Sequence, residues 1–551
     1  MMQAFIAPLA GLAEYQEILQ KRRKEKGILQ IAGCVNSQKT HLMYALGDGF
    51  SYKIIVFSSE EKAQKAYEEY RFLDSGVLYY PARDLLFYHA DIKGNYLMKQ
   101  RMEVIRSMVT RQKNQEITVI TTMDAFLDGL SPAEEIVSKR IQISSGDTVD
   151  FTKLQERLSC LGYAREVQIE GPGQFAVRGG ILDIFPLTEE VPVRVELWGD
   201  EVDSIRTFDV ESQRSIENLQ EIEIYPAAEL QSQKKQSFLE YFPTEESILF
   251  LDEPQRLIEK ANEIEEEFQE SVRKREEAGL EETQELTVYP VLEILNRINQ
   301  FYGVAFTALE GKCRGLKIRE TDYIQTKGVN PYNNSFEMLT RDLKRLKRNQ
   351  YRVILLSGSR TRAKRLAEDL RDYDLSSFYS EDMDREVQPG EIMVAYGHVT
   401  QGYEYPMLKF MVISETDIFG RQKKKKRRKL YEGQKIQSFS ELKVGDYVVH
   451  ENHGLGIYQG IEKIEVDKIT KDYMKISYAG GSSLYILATQ LDLIQKYAGA
   501  DAKKPKLNKL GSNQWTKTKN QVRGAVRQIA RDLVELYAAR QQENGYQYEP
   551  D

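Results

Sequence analysis

One alternating run in the middle of the chain limits the possible folds more than any other feature. Within residues 171–186, two short segments rich in β-branched and aromatic side chains flank Gly179-Gly180, a pair that can adopt positive φ and close a two-residue hairpin. Because side chains alternate along a strand, Phe175 and Arg178 fall on opposite faces. A second alternating run begins at residue 191, turns, and continues to residue 208. The pattern predicts a small antiparallel β module.

The sequence on either side of this module predicts a different architecture. Short apolar runs alternate there with charged, helix-forming segments. These runs are residues 27–32, 53–57, 117–120 and 247–251. Strands that alternate with helices are typical of a parallel sheet, so we expect an α/β domain. The β module, residues 133–225, would interrupt that domain and divide it into residues 1–132 and 226–334.

The second half of the chain predicts three further structured segments. Residues 335–420 again alternate apolar strands with a helix and predict a second small α/β domain. Residues 439–500 contain short strands and Gly-rich turns, which are typical of a small SH3- or Tudor-like β barrel. Apolar residues at steps of three and four predict one long amphipathic helix at residues 511–545. The predicted fold class is therefore α/β and multidomain.

A basic segment, residues 421–438, separates the last two predicted domains. Eight of the nine residues 421–429 are Lys or Arg. Like charges at this density repel one another, which favours a solvated linker. Contact with a nucleic-acid phosphate backbone is the alternative interpretation.

Composition restricts the classes of function. The chain has 551 residues, 41% hydrophobic and 29% charged, with a net charge of −7, which indicates a soluble protein and argues against a strongly basic nucleic-acid binder. No signal peptide and no apolar run of about 18 residues is found, so we expect a cytoplasmic protein that does not enter a membrane. The three Cys and five His residues show no metal-ligand spacing, and no catalytic constellation stands out, so neither a metal nor a catalytic residue is predicted.

One segment is close to a phosphate-binding P-loop. Gly33 is followed after four residues by Gln38-Lys39-Thr40. In a working P-loop a second glycine lets backbone N–H groups surround the phosphates, and the Cβ of Gln38 obstructs that position. Asp252-Glu253 at the end of an apolar run is similar to the acidic pair that would hold Mg²⁺. We interpret the two motifs as a degenerate nucleotide site, with a working site as the alternative.

The β module carries a resemblance to a known family. The segments Phe-x-Val-Arg-Gly-Gly-x-x-Asp-Ile-Phe-Pro and Arg-Val-Glu-Leu-Trp-Gly-Asp-Glu-Val-Asp-Ser-Ile-Arg-x-Phe-Asp resemble the module shared by the excision-repair subunit UvrB and the bacterial transcription-repair coupling factors. The resemblance implies a degenerate RecA-type ATPase fold around a module that binds the repair ATPase UvrA. From the residues alone, solvated arginines and a Phe175 in the core would be favoured. The resemblance implies instead that Arg165 and Arg178 contact UvrA, and it leaves Phe175 as either a UvrA contact or a core residue.

A second resemblance separates the two branches of that family. The run Val-Val-His-x-x-His-Gly-x-Gly-x-Tyr-x-Gly, with a later Tyr-Met-x-Ile-x-Tyr strand, is similar to the RNA-polymerase-interacting domain of coupling factors and CarD-type regulators. UvrB has no such domain, so the chain is identified as similar to the N-terminal part of a coupling factor. The residues proposed to contact the polymerase are Tyr473, Met474, Lys475 and Ile476, on a strand expected to be an unpaired edge. Met474 and Ile476 share a face and could instead fill the barrel core.

The resemblance implies a function and leaves two alternatives. It implies an adaptor that binds the β subunit of RNA polymerase stalled at a DNA lesion and recruits UvrA. In the intact family, a motor that follows the long helix uses ATP and Mg²⁺ to move on double-stranded DNA, so no cofactor is expected for this chain. The first alternative is a UvrB-like DNA-dependent ATPase or helicase that uses Lys39 and Asp252. The second is a nucleic-acid-binding module centred on residues 421–429.

Overall fold

We analysed a computed structural model of the chain. It describes residues 2–83, 95–113, 115–210, 212–230, 232, 234–277, 288–311, 313–420, 434–435, 442–450, 453–466, 469–487, 494–497, 505 and 507–509. The chain forms two compact units, the first of residues 1–87 and 97–425 and the second of residues 88–96 and 426–551.

The described helices, in chain order, are α1 (Gln3–Ile6), α2 (Ala13–Lys21), α3 (Asn36–Leu46), α4 (Glu60–Leu73), α5 (Asn95–Val109), α6 (Asp124–Leu127), α7 (Ala133–Lys139), α8 (Phe151–Cys160), α9 (Pro254–Glu277), α10 (Val291–Ile298), α11 (Phe336–Arg348), α12 (Arg360–Arg371) and α13 (Glu415–Phe419). Short 3-10 turns occur at Ala7–Gly11, Phe238–Tyr241 and Pro406–Leu408. Among the described residues, no helix is both long and apolar enough to span a bilayer.

The described strands, in chain order, are β1 (Gly27–Ala32), β2 (Tyr52–Phe57), β3 (Leu78–Tyr80), β4 (Ile117–Thr122), β5 (Ile141–Ser144), β6 (Ala164–Glu166), β7 (Gln174–Arg178), β8 (Ile181–Phe185), β9 (Val193–Trp198), β10 (Glu201–Phe208), β11 (Ser215–Leu219), β12 (Glu221–Ile224), β13 (Ser247–Asp252), β14 (Tyr302–Thr307), β15 (Ile318–Tyr323), β16 (Lys327–Gly328), β17 (Arg352–Ser357), β18 (Ser377–Tyr379), β19 (Ile392–Tyr396), β20 (Tyr403–Tyr405), β21 (Phe410–Ile413), β22 (Gln434–Lys435), β23 (Tyr447–His450), β24 (Gly454–Val466), β25 (Ile469–Ser477), β26 (Ser483–Leu487) and β27 (Ile494–Lys496).

The first α/β domain is built on a seven-stranded parallel sheet in the order β15-β1-β14-β13-β2-β4-β3. Every residue of β1, β2, β4 and β13 is buried. Parallel strands are covered on both faces by helices, which explains why these segments read as continuous apolar runs. The predicted parallel sheet is therefore confirmed.

The inserted module contains a six-stranded sheet in the order β11-β10-β9-β8-β7-β6. Its strands pair antiparallel, as predicted, except that β6 pairs parallel with β7. At the predicted hairpin, Gly179 has a φ of +62°, and a Cβ on Gly180 would lie 2.8 Å from the carbonyl oxygen of Leu197. The two glycines are thus required for different reasons, one for positive φ and the other for close backbone approach.

The second α/β domain has a six-stranded sheet in the order β16-β20-β21-β17-β19-β18. One face packs beneath α11 and α12, where Val353 and Leu355 meet the buried leucines of both helices. The opposite face, with Ile354 and Leu356, shares a core with the first α/β domain. Alternation along β17 therefore determines which side of the sheet joins the first domain and which side carries the helices.

In the second unit, the described strands form an antiparallel sheet in the order β22-β27-β23-β24-β25-β26. β25 lies between β24 and β26, so the prediction that it is an unpaired edge was wrong, and β26 occupies that position. Between the described strands no pairing joins β22 to β26, and closure into a barrel stays a prediction. β22 falls within the predicted linker, which is therefore not without structure at Gln434 and Lys435. The basic block at residues 421–429 and the predicted helix at residues 511–545 lie outside the described residues.

Candidate functional site

The outer face of the inserted sheet carries Arg178 beside the hairpin turn. Its side chain is 52% exposed and reaches Asp183 only at 3.5 Å. Asp183 is buried and is held by Arg194, whose Nε and Nη2 donate to its two carboxylate oxygens at 2.6 and 2.9 Å. Side-chain hydrogen bonding to Asp183 raises the pKa of Arg194. Because Arg194 already satisfies the carboxylate, the guanidinium of Arg178 is available to a partner.

Two of the residues expected to contact UvrA lie elsewhere. Phe175 is completely buried in the core on the opposite face of the sheet, and the prediction that it contacts a partner conflicts with this burial. Arg165 is exposed on β6, at the edge of the sheet, in register with Phe175 rather than with Arg178. Strand alternation therefore places the two arginines on different faces of the sheet.

The sequence analysis missed an exposed aromatic residue two strands away from Arg178 in the same sheet. Trp198 ends β9 with 85% of its surface exposed, and the neighbouring Leu197 N–H donates to the carbonyl of Gly180 at 2.8 Å. The two hairpin turns of the module are therefore adjacent. Trp198 stands directly before the Gly199-Asp200 turn, and that position was the available signal.

In the second unit, the four residues expected to contact RNA polymerase divide between two faces of β25. Met474 and Ile476 are completely buried in the core of that sheet, so the prediction that their side chains contact a partner conflicts with the structure. Tyr473 and Lys475 are partly exposed on the other face. Lys475 donates to Glu462 at 2.8 Å and lies 5.6 Å from the ring centre of Tyr485 on β26. The accessible surface therefore extends from these two residues to the edge strand.

The P-loop-like segment has the expected strand–loop–helix form but lacks the open loop. Gly33 follows β1 with a φ of +84°, and the ring of Tyr323 would lie 2.9 Å from a Cβ at that position. The backbone N–H of Val35 donates to Oε1 of Gln38 at 3.1 Å. A phosphate cradle needs such N–H groups to point at the ligand. Here the Gln38 side chain occupies one of them.

Lys39 makes two short ion pairs across the parallel sheet. Its ammonium donates to Asp252 at 2.7 Å and to Glu253 at 2.6 Å, with the Lys39 and Asp252 side chains 12% and 7% exposed. Burial opposes the charged ammonium, but the two carboxylates outweigh it, and the pKa of Lys39 is raised. One strand, β14, lies between β1 and β13, so the loop after β1 and the acidic pair meet at the same sheet edge.

Thr40, which would hold Mg²⁺ in a working P-loop, donates its hydroxyl to Glu69 at 3.1 Å. The same buried carboxylate accepts from the Ser37 hydroxyl at 2.7 Å and from the backbone N–H of Thr400 at 2.6 Å. Thr400 belongs to the second α/β domain, so Glu69 joins the helix of the P-loop-like segment to that domain. The sequence analysis missed Glu69 because it lies in a Glu- and Lys-rich helix, α4, where one buried carboxylate looks like any solvated one.

His41, which directly follows Thr40 on α3, is the second link between these domains. Its Nδ1 lies 3.0 Å from the hydroxyl of Tyr405, its Nε2 lies 3.0 Å from the carbonyl oxygen of Phe5, and its ring stacks on Tyr403. Burial lowers the pKa of His41 to about 4, so the imidazole is neutral at physiological pH. Within the described part of the chain, no group of three or more His, Cys, Asp or Glu residues could hold a metal ion.

Comparisons with known proteins match this arrangement. The family model of the UvrB interaction domain matches residues 141–230, and that of the CarD-like/TRCF RID domain matches residues 442–498. The transcription-repair-coupling factor of Bacillus subtilis (strain 168) is 30% identical over 598 residues, which cover 95% of this chain and 49% of the relative. That of Staphylococcus aureus (strain Mu50 / ATCC 700699) is 29% identical over 541 residues, covering 87% and 46%. That of Staphylococcus haemolyticus (strain JCSC1435) is 28% identical over 545 residues, covering the same shares.

The chain thus combines a parallel sheet with an inserted segment that matches the UvrB interaction domain and a later segment that matches the CarD-like/TRCF RID domain. The chain is a homologue of the transcription-repair-coupling factors and fits their N-terminal part, which confirms the resemblance seen in the sequence. It spans about half the length of the curated relatives it matches.

Proposed function

We propose that this chain is an adaptor in transcription-coupled nucleotide excision repair, which binds RNA polymerase at a DNA lesion and recruits UvrA. One observation carries the proposal: a UvrB interaction domain and a CarD-like/TRCF RID domain occur in the same chain, in separate compact units. A protein that carries two recognition modules can bring two partners together without chemistry of its own. We expect it to act in the bacterial cytoplasm, where both partners are found.

The inserted module would bind UvrA through the outer face of its sheet. Arg178 offers a half-exposed guanidinium, and the exposed ring of Trp198 lies two strands away in the same sheet; Arg and Trp are among the residue types most enriched at interaction hot spots. Arg165 lies at the sheet edge and would form a separate contact. Phe175 would support this surface from the core.

The test is capture of purified UvrA by the whole chain and by Arg178→Ala, with Lys153→Ala as the control. Lys153 is a 76% exposed cation on α8 of the same module. We expect Arg178→Ala to weaken binding at least tenfold and Lys153→Ala to leave it unchanged. Equal binding by all three proteins would contradict the assignment of this face.

The second unit would bind RNA polymerase by strand addition at β26. This strand pairs only with β25 among the described residues, so its outward N–H and C=O groups can accept a strand from a partner. Tyr485, 39% exposed, together with Tyr473 and Lys475 would contact that strand with side chains. Assignment of the polymerase β subunit as the partner is part of this proposal.

The test is capture of core RNA polymerase by the whole chain and by a chain that lacks residues 439–497. Deletion should abolish binding. Two single substitutions, Leu484→Pro and Tyr485→Pro, test strand addition directly, because proline removes one backbone N–H. Along an edge strand, successive N–H groups point alternately toward the paired strand and outward, so one of these two prolines removes an outward N–H. We expect one proline variant to retain its circular dichroism spectrum and lose the polymerase. Full binding by every folded variant would refute strand addition, and binding by the deleted chain would refute the domain assignment.

We also propose that this chain uses no nucleotide at the P-loop-like segment. The proposal is supported by the occupied polar groups there, since Lys39 is paired with two carboxylates and the Thr40 hydroxyl donates to Glu69. The ATP, Mg²⁺ and double-stranded DNA that a translocating motor uses would be bound by the part of the longer relatives that this chain does not match. ATP hydrolysis by the chain that disappears in Lys39→Met would favour the ATPase alternative instead.

A further inference from the structure

The helix α11 presents a basic face that no contact described above uses. Its apolar residues Leu339, Leu343 and Leu346 are buried against the sheet of the second α/β domain. Helical spacing places Arg341 and Arg348 directly opposite them, toward solvent, and both are exposed. Lys344, Arg345 and Lys347 flank this line, so α11 carries five cations against two acids in a chain whose net charge is −7.

Most of the cations on α11 have no carboxylate partner among the described residues. Arg345 pairs with Asp342 at 2.9 Å, but no ion pair within the described ranges involves Arg341, Lys344, Lys347 or Arg348. Residues 345, 347 and 348 lie in the last turn, where cations also stabilise a helix through its dipole. Arg341 and Lys344 precede that turn, so the dipole does not account for the whole stripe.

The neighbouring helix α12 provides the contrast. It also carries five cations on the same side of the sheet, but each has a partner within its own domain. The partners of the five, in chain order, are the Tyr396 ring for Arg360, Glu415 for Arg362, Glu381 for Lys364, Asp369 for Arg365 and the Ser377 carbonyl for Arg371. The cations on α12 therefore have partners within the domain, whereas Arg341, Lys344, Lys347 and Arg348 on α11 have no carboxylate partner among the described residues and are available to an external anion.

We propose that the basic face of α11 binds the phosphate backbone of duplex DNA. The stripe from Arg341 to Arg348 includes eight residues. The seven rises between its ends give about 10 Å of helix, which equals about three nucleotide steps of one DNA strand. Between these two residues the only large apolar side chains, Leu343 and Leu346, are buried. Met338, 47% exposed, lies one turn before Arg341, but a single methionine provides neither the aromatic anchor typical of a protein-interface hot spot nor the apolar face of a membrane-binding helix. A regularly charged linear polyanion is the partner that matches it.

This inference does not depend on the proposed function, because the surfaces assigned to UvrA and to RNA polymerase lie on β-strands of other domains and do not include α11. It predicts contacts that position the chain on DNA without reading sequence, since guanidinium and ammonium groups on phosphates recognise backbone and not bases. The second α/β domain would thereby become a DNA-contacting element.

The experiment measures the affinity of the whole chain for a fluorescent 25-base-pair duplex at several salt concentrations by anisotropy. The variant carries Arg341→Ser, Lys344→Ser and Arg348→Ser, and its matched control carries Arg362→Ser, Lys364→Ser and Arg365→Ser on α12. The logarithm of the binding constant falls with the logarithm of the salt concentration, and each lost phosphate contact makes this fall less steep by about 0.9. With three cations removed, the slope of the α11 variant should be about 2.7 less steep than that of the unmodified chain. The basic block at residues 421–429 stays intact in all proteins, so its contribution cancels.

Three results would overturn the proposal. The first is a slope unchanged in the α11 variant, which would leave residues 421–429 or no site as the source of binding. The second is an equal change of slope in the α12 variant, which would show that the effect comes from the loss of positive charge as such and not from the position of the cations on α11. The third is displacement of the duplex by poly-glutamate at the same charge concentration, which would show an acidic protein as an equally good ligand. Unchanged thermal unfolding of both variants would establish that the compared proteins are folded.

Discussion

Replacing Lys39 by methionine should loosen the first α/β domain and have no effect on any catalytic activity. Lys39 holds Asp252 and Glu253 at 2.7 and 2.6 Å, and Asp252 is almost completely buried. Methionine preserves the length and apolar stem of the side chain but leaves two carboxylates without their shared cation. The substitution therefore isolates the charge.

The magnitude follows from the local geometry. Removal of one partner from a buried ion pair costs about 3–5 kcal/mol. The lower end of this energy range applies here for two reasons. Lys62 remains 3.7 Å from Asp252, and the Glu253 side chain is 23% exposed to solvent. We expect a loss of about 3 kcal/mol, which corresponds to roughly a hundredfold change in an opening equilibrium.

The assay is amide hydrogen exchange by mass spectrometry, which reports local opening in a multidomain chain where no single unfolding equilibrium applies. Peptides that cover α3 and β13 should exchange up to about a hundred times faster in Lys39→Met. Lys65→Met is the control, since Lys65 pairs with Glu61 on the surface of α4 and both side chains are mostly exposed. That control should change exchange by less than about twofold, because exposed pairs contribute little.

A compensating variant separates charge from packing. Adding Asp252→Asn and Glu253→Gln to Lys39→Met removes the uncompensated charges and should restore most of the protection. The reasoning is refuted if Lys39→Met exchanges like the control, and refuted in favour of a nucleotide site if the same variant also abolishes a measurable ATP turnover.

Three further predictions concern the buried residue His41, the pair Arg178 and Arg194, and the pair Met474 and Tyr473. Because the pKa of His41 is lowered to about 4 in the folded chain, the unfolded chain binds more protons between pH 6.5 and 4. The contribution of neutral His41 to the free energy of unfolding should be fully present above pH 6.5 and fall by about 3 kcal/mol as the pH approaches 4. In a His41→Gln variant, the stability measured by hydrogen exchange should depend less steeply on pH. Arg178→Ala should leave thermal unfolding unchanged. Arg194→Ala leaves the buried Asp183 carboxylate without its main cation and should lower the free energy of unfolding by about 3 kcal/mol. Equal effects of the two substitutions would contradict the assignment of their roles. Met474→Ala should destabilise the second unit by about 3 kcal/mol and weaken polymerase binding only through that loss, whereas Tyr473→Ala should weaken binding with a normal melting curve.

Periodicity and turn chemistry were sufficient to predict the local elements. The continuous apolar runs became the buried parallel strands β1, β2, β4 and β13, and the alternating runs became the hairpins of the inserted module. These patterns can be read from the sequence because they are set by the spacing of neighbouring residues on one strand. The mixture of motifs in the module and in the second unit was also enough to indicate the family.

The sequence did not determine which strand of the second unit lies at the edge. β25 and β26 both carry apolar residues on one face, and only the pairing of β25 with two neighbours places β26 outside. The same limit applies to Phe175 and Arg165, which are in register on neighbouring strands: Phe175 on the interior strand β7 is buried, and Arg165 on the edge strand β6 is exposed. Strand order is a long-range property that no local pattern encodes.

By itself, the sequence determined that this chain is an α/β protein with an inserted β module, and that its P-loop-like segment carries Gln38 where a glycine is needed. Only the tertiary structure decided what the remaining polar groups of that segment do. It brings the Glu69 carboxylate to the hydroxyls of α3 and the backbone N–H of Thr400 to the same carboxylate, across separations of 29 and more residues. The reason is physical: a buried donor must be paired, and its partner is supplied by whichever segment the packed core brings within 3 Å.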